Sequence, residues 1–169
     1  MIFGDKNELS IECYHDPHEN NNRWVFGRMC IWCSGKQLGD VTEPACMLNV
    51  TEGFLQDLLH NPGLRDGGAL NEMADRQLFD YLNEKIYLDD DRRTHEVEAD
   101  ARKYFKYDFL TNGGESFDSH KSFLVKDGDV FRLLFMDNDG NFESCRVNVE
   151  FALSVVEQFL SWLENEKNG

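Results

Sequence analysis

Apolar and polar positions alternate with a period of two along the first forty residues. Leu9, Ile11 and Cys13 are separated by Ser, Glu and Tyr over residues 8–14, which indicates a half-buried strand. A polar loop follows at 15–22. Residues 23–33 are rich in aromatic and β-branched side chains and predict a long strand, which residues 34–36 close into a hairpin with a short strand at 37–41.

The middle of the chain changes to a helical period. Thr51 is a candidate N-cap for a helix that Pro62 ends, and residues 61–68 are expected to form a loop rich in glycine. Residues 70–86 predict an amphipathic helix. Its apolar stripe consists of Leu70, Ala74, Leu78, Tyr81 and Leu82. The charged residues 89–100 are expected to form a connection.

The period of two returns after about residue 103. Three strand-like runs between residues 122 and 149 are separated by Asp127-Gly128 and Asp139-Gly140, which are favoured hairpin dipeptides. The last predicted element is a helix over 149–164. Its buried stripe is expected to be Ala152, Val155, Val156, Phe159, Leu160 and Leu163.

Together these elements predict an α+β fold. An antiparallel β-sheet with hairpins should pack against two to three helices, including a C-terminal amphipathic helix, because tight turns rather than crossover helices link the strands. There is no internal repeat or long linker, so we expect a single domain spanning residues 1–169.

The net charge of the chain limits the classes of partner that it is expected to bind. The 169 residues carry a formal net charge of −15, and residues 51–100 hold 13 of the 32 acidic side chains against 5 basic ones. A nucleic-acid-binding protein needs a basic footprint, so we expect no nucleic-acid partner. The chain has no run of 18 apolar residues and no basic, then apolar, N-terminal signal, so we expect no membrane partner and a cytoplasmic location.

The five cysteines are expected to be free thiols, as is usual in a reducing compartment. Cys30 and Cys33 form a Cys-Ile-Trp-Cys sequence inside the predicted long strand. Residues three apart on a strand point to opposite faces and lie about 10 Å apart, whereas a disulfide needs Cα atoms within about 7 Å. Neither a redox pair nor a zinc site is therefore expected, and these thiols should be buried in the protein.

Two other groups of side chains resemble metal sites. Cys13, His15, Asp16 and His18 could ligate a metal from a loop, but solvated loop histidines are the favoured interpretation. Residues 136–143 resemble a calcium loop, but the spacing of the glycine and the flanking strands favour a hairpin turn.

Catalytic signatures are missing from the sequence. It contains no nucleophile elbow, phosphate-binding loop, zinc-protease motif or dinucleotide-binding glycine pattern. Glu115 and Asp118 could form a carboxylate pair with His120, but their separation cannot be obtained from the sequence. We therefore predict no catalytic residues, no cofactor and no metal ligands.

Three blocks of sequence resemble a known family. They are "MIFGDKNELSIE", "WVFGRMCIWCSGKQLGD" and "GESFDSHKSFLV", in that order along the chain. The matching residues are Ile2, Phe3, Gly4, Asp5, Ile11, Glu12, Trp24, Gly27, Arg28, Trp32, Gly35, Gly39, Asp40, Glu115, Ser116, Phe117, Asp118, Lys121, Phe123 and Leu124. This pattern resembles the immunity protein 42 family of bacterial polymorphic toxin systems. Ser119-His120 stand where the pattern has Gly-Trp, and residues 62–103 match no part of it.

The resemblance implies a non-enzymatic protein of bacterial competition that binds a cognate toxin and blocks it. The negative charge suggests that an acidic surface occupies a basic cleft of that toxin, as a phosphate would. The most concentrated candidates for this contact are Asp89, Asp90, Asp91, Glu96, Glu98 and Asp100. Tyr104 and Trp162 are candidate anchors, although such aromatic side chains belong to the core more often than to an interface.

Two alternatives remain open from the sequence. One is a small metal-dependent or hydrolytic enzyme that uses the histidine, cysteine and carboxylate residues. The other is an adaptor domain with a partner that is not a toxin.

Overall fold

The secondary structure is that of an antiparallel α+β protein. A computed structural model describes residues 1–16, 24–43, 46–88 and 93–168. The strands are β1 (Ile2–Asp5), β2 (Leu9–His15), β3 (Phe26–Cys33), β4 (Lys36–Leu38), β5 (Cys46–Met47), β6 (His120–Asp127), β7 (Val130–Asp137) and β8 (Phe142–Asn148). The α-helices are α1 (Leu48–His60), α2 (Asp75–Tyr87), α3 (Thr94–Tyr104) and α4 (Val149–Asn168). Short 3₁₀ turns occupy Pro62–Arg65, Gly68–Glu72, Phe105–Tyr107 and Glu115–Phe117.

The first sheet has the order β1-β2-β3-β4, and β5 pairs with β3 as well. Both β4 and β5 pair with β3, β4 at its C-terminal end and β5 at its N-terminal end. The predicted β2, β3 and β4 are confirmed, with β4 shorter than expected. Strand β1 lies outside the predicted alternation, because Gly4 and Asp5 interrupt its apolar pattern.

The second sheet has the order β6-β7-β8, with every pair antiparallel. The two predicted hairpins are confirmed. Gly128 and Gly140 have φ angles of +61° and +86°. Glycine adopts such positive φ angles with little strain, whereas residues with a Cβ are strained there.

The main core lies between the two sheets and helices α1 and α4. Its buried side chains come from β2, β3, β6, β7 and β8 on the sheet side and from α1 and α4 on the helix side. Five of the six predicted stripe residues of α4 are buried, and Leu160 is partly buried against the same cluster. A smaller cluster packs Leu78, Phe79 and Leu82 of α2 on the opposite face of the second sheet.

Helix α1 begins three residues before the predicted cap. Thr51 lies inside the helix, where its buried hydroxyl donates to the carbonyl of Gly113 at 2.8 Å. The cap position is held by Met47, whose amide donates to the carboxylate of Glu115 at 3.0 Å. A carboxylate from a distant segment therefore takes the place of a local capping side chain near the positive end of the helix.

The predicted helix over 70–86 divides into a 3₁₀ turn and α2. Arg132 of β7, which is 1% exposed, donates to the carbonyls of Asn71 and Met73 at 3.3 and 2.7 Å. These carbonyls are turned toward the guanidinium instead of continuing a helical ladder, so α2 starts only at Asp75.

Residues 94–100 were expected to form a connection, and this expectation was wrong. They belong to α3, which contributes just one buried residue, Tyr104. Charged and polar side chains dominate this helix, so its sequence predicts an exposed connection.

The free-thiol prediction was wrong for two cysteines. Cys33 of β3 and Cys145 of β8 form a disulfide, with Cα atoms 6.2 Å apart. Cys13, Cys30 and Cys46 are buried free thiols, as expected. Cys30 and Cys33 are not bonded to each other. Cys33 belongs to the main core, whereas the Cys30 sulfur lies 3.9 Å from the carboxylate of Glu12.

No helix within the described ranges is long and apolar enough to span a membrane.

Candidate partner-binding surface

The predicted acidic run falls partly on α3 and partly outside the described residues. Asp89, Asp90 and Asp91 lie outside the described ranges. The remaining three carboxylates, those of Glu96, Glu98 and Asp100, lie on α3.

Each of the three carboxylates on α3 has a cationic neighbour. Glu96 pairs with Arg93 at 2.8 Å, Glu98 with Arg102 at 3.6 Å and Asp100 with Lys85 of α2 at 3.4 Å. The described part of this helix therefore presents a surface of mixed charge rather than a concentrated negative field.

The two predicted aromatic anchors are largely covered. Tyr104 is 6% exposed, and its hydroxyl lies 2.6 Å from that of Tyr81. Its neighbour Phe105 is 51% exposed instead. The ring of Trp162 packs against Phe3 and Phe159, and its Nε1 has no hydrogen-bond partner among the described residues.

A second group of carboxylates lies on three segments that backbone hydrogen bonds bring together. We call it the junction face, and it comprises Asp40, Glu43, Glu115, Asp118, Asp137 and Glu143. Backbone contacts bring its segments together. The amide of Asp40 donates to the carbonyl of Ser116 at 2.6 Å, and the amide of Asn138 donates to the carbonyl of Ser119 at 3.0 Å.

Several of these carboxylates are fixed by hydrogen bonds. The hydroxyl and amide of Thr42 donate to Asp40 at 2.6 and 2.8 Å and lower the pKa of that carboxyl. The side chain and amide of Asn141 donate to Asp137 at 2.8 and 2.9 Å and lower its pKa as well. Both groups are therefore ionised at neutral pH. Residues 137–141 form the hairpin turn that was expected in place of a calcium loop.

A groove of about 330 Å³ opens beside the junction face. One wall comes from the β3–β4 hairpin and the other from β6, β7 and the β7–β8 turn. It is lined by Gly35, Lys36, Gln37, His120, Phe135, Asp137, Asn141 and Glu143. Lys36 bridges the walls, since its Nζ lies 2.5 Å from the Glu143 carboxylate and 3.2 Å from the Ser144 carbonyl.

His120 is a partly buried titratable side chain in this groove. Burial lowers its pKa, while the charges of Asp137 and Asp40 oppose that effect. Its Nδ1 lies 2.9 Å from the hydroxyl of Ser119. The imidazole is therefore neutral at pH 7 and adds hydrogen-bonding capacity rather than positive charge to the groove.

The carboxylate pair considered from the sequence, Glu115 and Asp118, lies on the junction face. Glu115 accepts the amide of Met47 and so supports the start of α1. Within the described residues, no group of three or more His, Cys, Asp or Glu side chains could hold a metal ion. Of the loop candidates, Cys13 is in the core, His15 pairs with Glu166 at 2.7 Å, and His18 lies outside the described ranges.

The family of the chain follows from comparison with known proteins. The family model described as immunity protein 42 matches residues 1–162. The chain belongs to the immunity protein 42 family. The match includes residues 62–103, for which the three sequence blocks carried no resemblance. No curated protein matches the chain.

A solved structure shares the fold of this immunity protein 42 family member. It is CdiI from Burkholderia dolosa, with a TM-score of 0.72 and 16% sequence identity. The alignment covers 95% of this chain and 99% of CdiI.

Several residues that carry the family resemblance support the scaffold. The Glu12 carboxylate accepts hydrogen bonds from Lys6, Tyr14 and Trp32 at 2.6, 2.8 and 2.7 Å. Gly39, with φ +91°, lies so close to the ring of Phe117 that an added Cβ would be 2.7 Å from a ring carbon. The Gly-Asp and Gly-Glu-Ser-Phe-Asp blocks are therefore parts of one contact, which the sequence alone did not reveal.

Proposed function

We propose that this protein binds and neutralises a cognate bacterial toxin in the cytoplasm, through an acidic surface. Membership of the immunity protein 42 family supports this proposal, and it is the observation that carries it. The net charge of −15 supports a basic partner, because opposite potentials steer association and orient the encounter.

The junction face is the part of the described surface that best fits such a contact. Its six carboxylates are contributed by three separate segments that backbone hydrogen bonds hold together. On α3 each described carboxylate of the predicted run has its own cation. On the junction face Glu143 is paired with Lys36, whereas Asp40 and Asp137 accept hydrogen bonds from neutral donors. We therefore place the main electrostatic contact at the junction face, and Glu96, Glu98, Asp100, Tyr104 and Trp162 become secondary candidates.

The groove supplies a concave feature in this surface. A lysine or arginine side chain of the toxin would meet the carboxylate of Asp137 and a neutral His120 there. Glu143 would contribute through its existing ion pair with Lys36. If the toxin has a basic cleft for a phosphate-bearing substrate, the junction face would occupy that cleft as the substrate's phosphates do.

The direct test is protection of growth. A candidate toxin encoded beside the gene for this protein would be expressed in a susceptible bacterium with and without this protein. We expect growth only when both are present, and a purified complex of the two. A folded protein that leaves the toxin lethal would contradict the proposal and favour a partner of another kind.

The surface is tested by matched charge removal. Asp118→Asn combined with Glu43→Gln removes two charges from the junction face. Glu150→Gln combined with Glu157→Gln removes two exposed charges from α4, which begins at the other end of β8. We expect the first pair to slow association about tenfold at low salt and the second pair to change it little. Equal effects, or an association rate that ignores salt, would contradict an electrostatic contact at the junction face.

A further inference from the structure

The disulfide between Cys33 and Cys145 joins the two sheets across 112 residues of sequence. Cys33 is the last residue of β3, and Cys145 lies within β8. Within the described residues the two sheets share no strand pairing, so this bond is a covalent link between sheets that otherwise meet through core packing and side-chain contacts.

The disulfide lies directly behind the groove of the junction face. Cys33 is paired with Lys36 in the β3–β4 hairpin, and Lys36 lines one wall. Cys145 is two residues from Glu143, which lines the other wall. The Lys36–Glu143 ion pair and the Lys36–Ser144 hydrogen bond cross the same gap. The contacts that fix the distance between the two walls therefore all lie within three residues of Cys33 or Cys145.

We propose that the thiol–disulfide state of Cys33 and Cys145 regulates toxin binding by setting the spacing of the groove walls. This inference rests on the proposed function for its biological consequence. Two thiols cannot approach as closely as two bonded sulfurs, so reduction separates the two sulfurs by about 1–2 Å and loosens the link between the walls. The surrounding core is close-packed and cannot absorb that movement locally.

The two protein thiols are oxidised to the disulfide by a small-molecule disulfide such as glutathione disulfide. One protein thiolate attacks it, forms a mixed disulfide and releases one glutathione thiolate. The second protein thiolate then attacks the mixed disulfide and releases the other glutathione thiolate. Two electrons pass from the protein sulfurs to glutathione, and the two protons of the protein thiols end on the released thiolates.

The environment of the cysteines restricts this chemistry to one pair. Cys145 is 7% exposed and is the natural point of first attack, while Cys33 is fully covered. Burial raises the pKa of Cys13 and of Cys30 to about 12. Burial also raises the pKa of Cys46. These three thiols are therefore poor nucleophiles and do not compete.

The first experiment compares two folded forms of the same protein. One sample is oxidised with glutathione disulfide and the other is reduced with dithiothreitol, with thiol content and circular dichroism checked for both. Hydrogen exchange is then followed at residues 36–38 and 142–144. We expect these amides to exchange about tenfold faster in the reduced form, while those of α2 do not change. Equal exchange at the groove walls would overturn the inference, whatever the toxin does.

The second experiment measures the affinity of each form for the toxin. We expect the reduced form to bind the toxin about fivefold more weakly than the oxidised form, because its groove is less preorganised. Cys145→Ser should behave as the reduced form under both conditions, whereas Cys30→Ser should remain sensitive to redox state. Equal affinity of the two forms would overturn the regulation. Absence of binding by both forms would instead overturn the proposed function, and the hydrogen-exchange result would still decide whether the walls move.

Discussion

Arg132 of β7 and Asp75 at the first turn of α2 form an ion pair in which the guanidinium is buried and the carboxylate partly buried. The guanidinium Nη2 and Nε lie 2.6 and 3.0 Å from Oδ1 of the carboxylate. Burial raises the pKa of Asp75, but the hydrogen bonds of Arg132 and Ser144 and the charges of Arg132 and Arg146 outweigh this and lower it overall. The pair fixes the start of α2 on the second sheet.

We expect Asp75→Ala to lower the free energy of unfolding by about 3–5 kcal/mol, because it leaves the buried guanidinium without its counter-charge. The matched control is Asp80→Ala on the same helix. Asp80 pairs with Arg76 at 3.0 Å on the surface, and its loss should cost less than about 1 kcal/mol. Urea unfolding measures both values, and a similar cost for the two variants would show that the buried pair adds no particular stability.

The acid stability of the protein should depend on Glu12. Burial alone raises the pKa of Glu12, but hydrogen bonds from Lys6, Tyr14 and Trp32 lower it from 4.5 to about 2. Because the pKa is lower in the folded state, the stabilisation is complete above pH 4.5 and is lost as the pH falls toward 2.

Glu12→Gln tests this contribution, since it keeps the shape of the side chain but does not titrate. We expect the variant to be less stable than the parent by about 1–3 kcal/mol at pH 6 and the difference to shrink toward pH 2. The measurement is urea unfolding at both pH values. A constant difference across that range would show that the ionised form of Glu12 has no special role.

Gly39 and Gly35 offer a test of close packing at the junction face. Both have positive φ angles, +91° and +74°, but an added Cβ at Gly39 would meet the ring of Phe117, whereas at Gly35 it would meet nothing within 4 Å. We expect Gly35→Ala to cost about 1–2 kcal/mol from backbone strain alone. Gly39→Ala should cost clearly more, by thermal or urea unfolding. Equal costs would show that the Gly39–Phe117 contact adapts easily.

Most regular elements of the fold follow from local pattern. The β6–β7–β8 hairpins have their turns at the two Asp-Gly positions, and α4 has the apolar stripe that its sequence predicts. These elements depend on contacts close in sequence, so their signal is strong. Helix α3 was missed because charged side chains dominate its sequence and Tyr104 is its one buried side chain.

The rest of the structure depends on contacts distant in sequence. The Cys33–Cys145 disulfide, the cap of α1 by Glu115 and the break before α2 caused by Arg132 all join segments more than fifty residues apart. No spacing rule connects such residues. The same applies to the junction face, because nothing in the sequence indicates that residues 40–43, 115–118 and 137–143 lie together.

His120 provides a last prediction, on the charge of the groove. Burial lowers its pKa below 6.5, and the neighbouring charges of Asp137 and Asp40 partly restore it. Removing one of those charges should therefore lower the pKa further. We expect Asp137→Asn to shift the titration of the His120 imidazole to lower pH, as followed by the nuclear magnetic resonance signals of its ring protons.

The matched control is Asp127→Asn in the β6–β7 hairpin, at the opposite end of β6, which should leave the His120 titration unchanged. The lowered pKa of His120 also determines how the stability of the protein changes with pH. Because the folded state holds the neutral imidazole, the unfolded chain takes up a proton first, and His120 reduces stability as the pH falls below 6.5. A His120 titration at or above its ordinary pKa would show that the imidazole is charged near neutrality, and the groove would then be less suited to a cationic side chain of a partner.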